Sequence, residues 1–177
     1  MFGETNRWGK LPLTIYGKGY QSLLTIEEMH MRADAATGYP GRGYRYFTGE
    51  PLFPAFAGMS YTSFATTCAK KEATTTGNRT MVLSCSVANT GRRDGDAVLL
   101  LFHHPPRAAA GQKQRPVRRL LDFDRVTVPA GGKAAAREFA VDIPRQLMLP
   151  SESGAPTEVA GVHVLEVQDG PSFRVPL

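Results

Sequence analysis

Apolar and polar residues alternate repeatedly after residue 60, and this alternation constrains the fold more than any other feature of the sequence. In residues 79–88, Met81, Leu83, Cys85 and Val87 share one face of an extended chain. Because successive side chains of a β-strand point to opposite faces, this period predicts a half-buried strand. Further strand-like segments lie at residues 61–69, 97–104, 117–128, 137–144 and 161–170. Polar turns containing Gly, Pro, Asn and Asp separate several of them, so the sequence predicts six or seven short strands.

Two of these segments carry more detailed information. Residues 97–104 are apolar on both faces, as expected for a central strand, and a Pro-Pro pair follows and should end its hydrogen-bond ladder. The apolar residues of segment 117–128 are Leu121, Phe123, Val126 and Val128. They cannot all share one alternating face, so we expect a bulge near Asp124 or Arg125. The only helix candidate after residue 60, residues 134–139, lies among strand signals.

The predicted fold is mainly β, an antiparallel β-sandwich of the immunoglobulin or fibronectin type III kind. An extended, partly irregular N-terminal segment precedes it. Residues 11–16 in this segment predict one strand, and residues 38–61 hold seven aromatic residues without a helical or strand period. Residues 1–57 have too few predicted elements to close a core, and we expect them to be loosely held on the sandwich or to be the edge of something larger.

The chain carries a net charge of +5, and the excess lies mostly in a cluster of basic residues: Lys113, Arg115, Arg118 and Arg119, beside Arg92, Arg93 and Arg107. No nucleic-acid-binding motif accompanies this cluster, so we interpret it as a solvated strand face and expect no nucleic-acid partner. No apolar run approaches the roughly 20 residues needed to span a bilayer, so no membrane partner is expected. The first residues lack the pattern of a signal peptide, and the localisation is therefore unknown from the sequence.

Two cysteines, Cys68 and Cys85, flank a polar segment that we interpret as a loop centred near Thr76. This arrangement would place them opposite each other on antiparallel strands, where they could form one disulfide. We favour two free thiols and keep the disulfide as the alternative.

Residues with catalytic potential are sparse. His103 and His104 are adjacent and should point to opposite faces of a strand, a poor arrangement for holding one metal ion, and His163 is interpreted as a core or surface histidine. The neighbouring carboxylates are Glu27 with Glu28, Asp94 with Asp96, and Asp122 with Asp124. A glycosidase needs two carboxyl groups across a sugar, whereas a pair in a polar turn is expected to be solvated. We therefore predict no catalytic, cofactor-binding or metal-binding residue, and no cofactor.

Several long motifs resemble glycoside hydrolase family 3. The segment MFGETNRWGKLPLTIY is similar to the end of that family's α/β-sandwich domain, and MHMRADAATGYPGRGYRYFTGEPLFPAFAGMSYTSF is similar to the linker that follows. The linker looks most like that of the β-xylosidase and α-L-arabinofuranosidase branch. VANTGRRDGDAVLLLF, LLDFDRVTVPAGGK and GVHVLEVQDG resemble the family's C-terminal fibronectin type III-like domain.

This resemblance implies three regions: residues 1–37 as a remnant of the α/β-sandwich domain, 38–61 as an inter-domain linker, and 62–177 as the fibronectin type III-like domain. The family's nucleophile and acid/base lie upstream of the matched part, so we expect no activity from this chain alone. The implied partners are the barrel and α/β-sandwich domains of such a hydrolase, and the implied role is structural. A free-standing carbohydrate-binding or protein-interaction sandwich is the alternative, with Tyr39, Tyr44, Tyr46 and Phe47 as candidate sugar platforms.

Overall fold

A computed structural model of the protein describes residues 4–24, 27–75, 78–109, 112–132, 136–151 and 153–177. The described strands are β1 (Phe64–Thr75), β2 (Asn78–Asn89), β3 (Gly95–His104), β4 (Arg119–Val128), β5 (Arg137–Asp142), β6 (Leu149–Pro150), β7 (Pro156–Thr157), β8 (Val162–Val167) and β9 (Ser172–Pro176). The helices are short: a 3₁₀ helix at Lys18–Leu23, α1 at Gly43–Tyr46 and α2 at Ile143–Gln146. The mainly-β class predicted from the sequence is confirmed.

The chain divides into two compact units. Unit 1 comprises Met1–Trp8, Ser60–Pro106 and Leu120–Leu177, and unit 2 comprises Gly9–Met59 and Arg107–Arg119. The connection between β3 and β4 thus belongs to the same unit as the N-terminal segment. The three-region scheme above, with borders after residues 37 and 61, stays a prediction.

Unit 1 contains a sandwich of two sheets. One sheet has the strand order β1-β2-β5 and the other β4-β3-β8-β9. The pairings β1 with β2, β2 with β5, β3 with β8 and β8 with β9 are antiparallel. A small hairpin of β6 and β7 accompanies them. Three strands facing four is the arrangement expected for an immunoglobulin-like or fibronectin-like sandwich.

The alternating residues of both sheets form one core. Leu83 and Val87 of β2, Leu101 of β3, and Leu165 and Val167 of β8 are all at most 1% exposed. Burying such side chains stabilises a fold by about 1.5–3 kcal/mol each relative to leaving them in water. The period-2 pattern therefore identified the correct inward faces.

Cys68 and Cys85 form a disulfide between β1 and β2, where they are direct cross-strand partners. The expectation of two free thiols was wrong. The polar segment between them is not one long loop, because β1 continues to Thr75 and β2 begins at Asn78. This extended hairpin keeps the two cysteines in register across the ladder; Thr76 itself lies outside the described residues.

The other differences concern exposed or local features. Residues 11–16 do not form a regular strand and contribute only an isolated bridge, Ile15 with Phe53. In β4, Leu121 and Val126 both pack against the core. Residues five positions apart in a regular strand point to opposite faces, so the strict alternation of side chains is interrupted between these two residues. Phe123, however, is 65% exposed rather than inward-facing. Residues 137–139 of the helix candidate belong to β5.

Candidate functional site

Unit 2 is organised around two buried tyrosines of the aromatic segment. Tyr39 is 5% exposed and Tyr46 9%. The Tyr39 hydroxyl donates to the His30 carbonyl at 2.8 Å and accepts from Arg42 Nε at 2.9 Å. The φ angle of Gly41 is +81°, and a Cβ there would lie 2.6 Å from the Tyr46 carbonyl oxygen. Glycine is therefore required at position 41, because the backbone there is left-handed and lies against the backbone of Tyr46.

A cluster of aromatic side chains lies beside this turn and forms hydrogen bonds with its backbone. The rings of Tyr16 and Tyr20 stack with centroids 3.9 Å apart, and Phe47 contacts both edge-on. The Tyr16 hydroxyl accepts from the Gly43 backbone N–H at 2.6 Å, and the Tyr20 hydroxyl donates to the Gly41 carbonyl at 2.9 Å. Burial, followed by the neighbouring Tyr39 hydroxyl, raises the pKa of Tyr20. Tyr20 thus stays a neutral donor.

Gln114, in the connection between β3 and β4, forms side-chain hydrogen bonds with the backbone of the aromatic segment and of the residues before it. Its side-chain oxygen accepts from the Ala33 backbone N–H at 2.6 Å, and its side-chain amide donates to the Tyr46 carbonyl at 3.1 Å. Arg32 Nε in turn donates to the Gln114 carbonyl at 3.0 Å. One glutamine thereby satisfies two backbone groups of a segment with little regular secondary structure.

Three charged residues of this connection are less exposed than predicted. Arg115, Arg118 and Arg119 are half-buried, and only Arg119 lies in a strand. Arg118 donates to the Ala55 carbonyl at 3.4 Å and lies 5.8 Å from the centroid of the Phe56 ring. The interpretation as a solvated strand face was therefore wrong for these three arginines, which are half-buried, whereas Arg92, Arg93, Arg107 and Lys113 of the same basic cluster are exposed.

Two extended segments of unit 2 carry exposed apolar side chains. Ile15 and Phe53 exchange both backbone hydrogen bonds, and two more bonds join Leu11 to residues 56 and 57, so two extended segments form an irregular ribbon. Thr14 is buried, whereas Leu13, Ile15 and Phe53 are 55%, 36% and 51% exposed. Since paired residues of a ribbon point to the same side, these three side chains form one exposed apolar face, called here the ribbon face.

Unit 2 also carries the positive charge of the protein. It has ten Lys and Arg residues against four Asp and Glu, a net charge of +6 in a chain of net charge +5. Exposed apolar residues elsewhere in unit 2 include Leu23, Met29, Leu52 and Met59.

The candidate sugar platforms are not available for stacking as the alternative hypothesis requires. Tyr39 and Tyr46 are buried inside unit 2. Tyr44 and Phe47 are half-buried and pack against Phe56 and against the Tyr16–Tyr20 stack respectively. These aromatic residues pack within unit 2 instead of presenting flat faces to solvent.

Two of the carboxylates singled out from the sequence, Glu28 and Asp96, are held by neighbouring basic side chains or backbone groups. A cleft of about 400 Å³ in unit 2 is lined by Glu28, His30, Asp34 and Lys113 among others. The His30 backbone N–H and ring hold the pKa of Glu28 below its usual range, the opposite of what a general acid needs. In unit 1, we expected Asp96 to be a solvated turn residue. Its carboxylate instead accepts a hydrogen bond from Arg125.

The histidines are used structurally. His103 and His163 are fully buried, and His103 Nε2 lies 2.7 Å from His163 Nδ1. His163 Nε2 also lies 2.7 Å from the Val159 carbonyl, so this nitrogen is the donor of that hydrogen bond. His104 points to the other face, beside Glu166. Within the described residues no cluster of three or more His, Cys, Asp or Glu could hold a metal ion.

No helix in the described part of the chain is long and apolar enough to cross a membrane. No protein-family profile matches the sequence.

Individual proteins do match it over nearly its whole length. The β-xylosidase/α-L-arabinofuranosidase 2 of Medicago sativa subsp. varia is 30% identical over 193 residues, which cover 96% of this chain and 24% of the relative. The β-D-xylosidase 1 of Arabidopsis thaliana is 32% identical over 199 residues, covering 96% of this chain and 25% of the relative. The chain thus spans about a quarter of the length of the curated relatives it matches.

Solved structures agree in fold. The β-glucosidase DesR of Streptomyces venezuelae, solved with D-glucose, is 26% identical with a TM-score of 0.66, covering 99% of this chain and 24% of DesR. A GH3 exo-β-xylosidase, solved with a xylobiose aziridine probe, is 22% identical and superposes with a TM-score of 0.71 over 91% of this chain and 23% of the enzyme. The chain is therefore homologous to one part, about a quarter of the length, of glycoside hydrolase family 3 β-xylosidases and β-glucosidases.

Proposed function

We propose that the chain is the fibronectin type III-like C-terminal module of a family 3 glycoside hydrolase of the β-xylosidase type. It has a structural role and no catalytic residues of its own. Unit 1 supplies the stable sandwich, and unit 2 supplies the surface that docks on the α/β-sandwich and barrel domains. In this proposal residues 1–37 correspond to the end of the α/β-sandwich domain and residues 38–61 to the linker.

The observation that carries the proposal is the ribbon face. Leu13, Ile15 and Phe53 project from two hydrogen-bonded extended segments, and each is at least one-third exposed. Exposed apolar side chains gathered on one face are the usual mark of a protein contact. Their removal from water would contribute about 25 cal/mol per Å² buried.

The length of the matched relatives supports this proposal. Each is about four times as long as this chain, so the rest of a family 3 enzyme offers a protein surface of the kind that unit 2 would cover. A free-standing sugar-binding sandwich is less well supported, because Tyr39 and Tyr46 are buried.

The test is complex formation with a truncated partner. The Arabidopsis β-D-xylosidase 1, from which the quarter matching this chain has been deleted, is mixed with the 177-residue chain and analysed by size-exclusion chromatography. We expect a one-to-one complex that Phe53→Asp abolishes.

The matched control is Phe123→Asp. Phe123 is also an exposed phenylalanine but lies on β4, outside the ribbon face. We expect this variant to bind like the unchanged chain. If both variants lose the complex, or if neither does, the result would contradict the proposal that the ribbon face is the docking surface.

A further inference from the structure

The sandwich of unit 1 carries one modification motif. Asn78, Arg79 and Thr80 form an Asn-x-Thr sequon, the acceptor pattern for N-linked glycosylation. The chain has three asparagines, and Asn78 is the only one with Ser or Thr two positions later. Because such a short motif also arises by chance, its position in the fold decides whether a glycan can be attached there.

The sequon lies at the turn end of the β1–β2 hairpin. Thr75 and Asn78 are the last pair of the antiparallel ladder that joins these two strands. In the described residues, the register of β5 against β2 begins at Thr80, so positions 78 and 79 lie beyond the paired part of β5. Arg79 is exposed and Thr80 is half-exposed, and the first core residue of β2 is Met81. The sequon thus precedes the core, as expected of a site that carries a bulky hydrophilic group.

The same hairpin contains the disulfide between Cys68 and Cys85. Disulfides form and persist in oxidising environments, such as the lumen of the endoplasmic reticulum, and are rare in the cytosol. N-linked glycans are attached in that lumen, so a sequon functions as a modification site in a secreted protein. The disulfide and the sequon involve different chemistry, yet both require the same compartment.

We propose that Asn78 is the acceptor of an N-linked glycan and that the chain folds in the oxidising secretory pathway. In the transfer, Asn78 Nδ2 attacks C1 of the first sugar of an oligosaccharide carried on a lipid diphosphate. The N–C1 bond forms while the C1–O bond to the diphosphate breaks, the amide nitrogen loses one proton, and the lipid diphosphate leaves. The Thr80 hydroxyl is the second group of the sequon that the transferase recognises. The site belongs to unit 1, so this inference is independent of the docking role proposed for unit 2.

The first measurement is mass spectrometry of the 177-residue chain secreted from cultured mammalian cells behind a cleavable signal peptide. We expect a protein heavier than the polypeptide by one oligosaccharide. Peptide-N-glycosidase F should remove it without denaturant and leave aspartate at position 78, because the sequon lies at the end of the hairpin. Thr80→Ala should abolish the glycan, whereas the matched variant Thr80→Ser, which keeps the hydroxyl, should retain it.

Three results would contradict the site. The secreted unchanged chain could carry no glycan, the glycan could persist in Thr80→Ala, or its release could require denaturation. The first two would overturn Asn78 as the acceptor, and the third would overturn its accessible position in the folded hairpin.

The second measurement tests the shared compartment through the cysteines of the same secreted protein. In urea, we expect iodoacetamide to label neither Cys68 nor Cys85 until a dithiol reductant is added. The control is the chain without the signal peptide, retained in the cytosol and alkylated during lysis, which should carry no glycan and should be labelled at both cysteines. Secreted, glycosylated protein with two free thiols would overturn the inference that the disulfide and the glycan share a compartment.

Discussion

The Asp96 carboxylate accepts two hydrogen bonds from the Arg125 guanidinium, at 3.0 Å from Nε and 2.7 Å from a terminal nitrogen. Thr127 Oγ1 donates to the other carboxylate oxygen at 2.7 Å. These contacts join β3 to β4, and the Asp96 side chain is only 11% exposed. The Thr127 hydrogen bond and then the Arg125 hydrogen bonds lower the pKa of Asp96.

Acidification should therefore weaken the sandwich. Because the pKa of Asp96 is lower in the folded than in the unfolded state, its stabilisation is present above the unfolded value of about 3.9 and is lost as the pH falls through the folded value. We expect Asp96→Asn to lower the free energy of unfolding at pH 7 by about 1.5–3 kcal/mol. Urea unfolding at pH 7 and pH 2.5 measures this. Between pH 7 and pH 2.5 the variant should lose less unfolding free energy than the unchanged protein. An equal loss would contradict the stabilising role given to the Asp96 carboxylate.

The Cys68–Cys85 disulfide should contribute measurably to stability. It joins cysteines 17 positions apart, and closing a loop of this size in the unfolded chain stabilises the folded state by about 3 kcal/mol. We expect the double variant Cys68→Ala, Cys85→Ala to show this loss in urea unfolding. Adding a reducing agent should destabilise the unchanged protein and leave the double variant unaffected. Equal sensitivity to the reducing agent would argue against the disulfide.

Gln114 should control the order of the aromatic segment. Gln114→Ala leaves the Ala33 N–H and the Tyr46 carbonyl without their partner, so we expect amide exchange at Ala33 to accelerate about tenfold, the equivalent of roughly 1.4 kcal/mol. Gln114→Glu keeps an acceptor for Ala33 and should preserve most of its protection. Exchange in β2 and β8 should be the same in both variants. Unchanged exchange at Ala33 in the alanine variant would contradict the role given to Gln114.

Much of unit 1 could be predicted from the sequence because its strands follow a local rule. The alternation of Met81, Leu83, Cys85 and Val87 places all four in the core, and the opposite facing of His103 and His104 follows from their adjacency. The disulfide was predicted incorrectly because the number of cysteines does not determine whether they pair. The register of β1 against β2 does, and it becomes visible only in the fold.

The structure of unit 2 could not be predicted from a periodic sequence pattern. Its backbone hydrogen bonds are satisfied by side chains distant in sequence, as when Gln114 bonds Ala33 across 81 positions, and no periodic pattern records such a pairing. The motif resemblance identified the region, but the burial of Tyr39 and Tyr46 required the three-dimensional arrangement.

The most direct test of the central claim is the hydrolysis of 4-nitrophenyl β-D-xyloside by the purified 177-residue chain. Under the proposed structural role, the chain should release no more nitrophenol than the buffer blank. Release that is proportional to the concentration of the chain, that saturates with substrate and that persists through further purification would contradict the account.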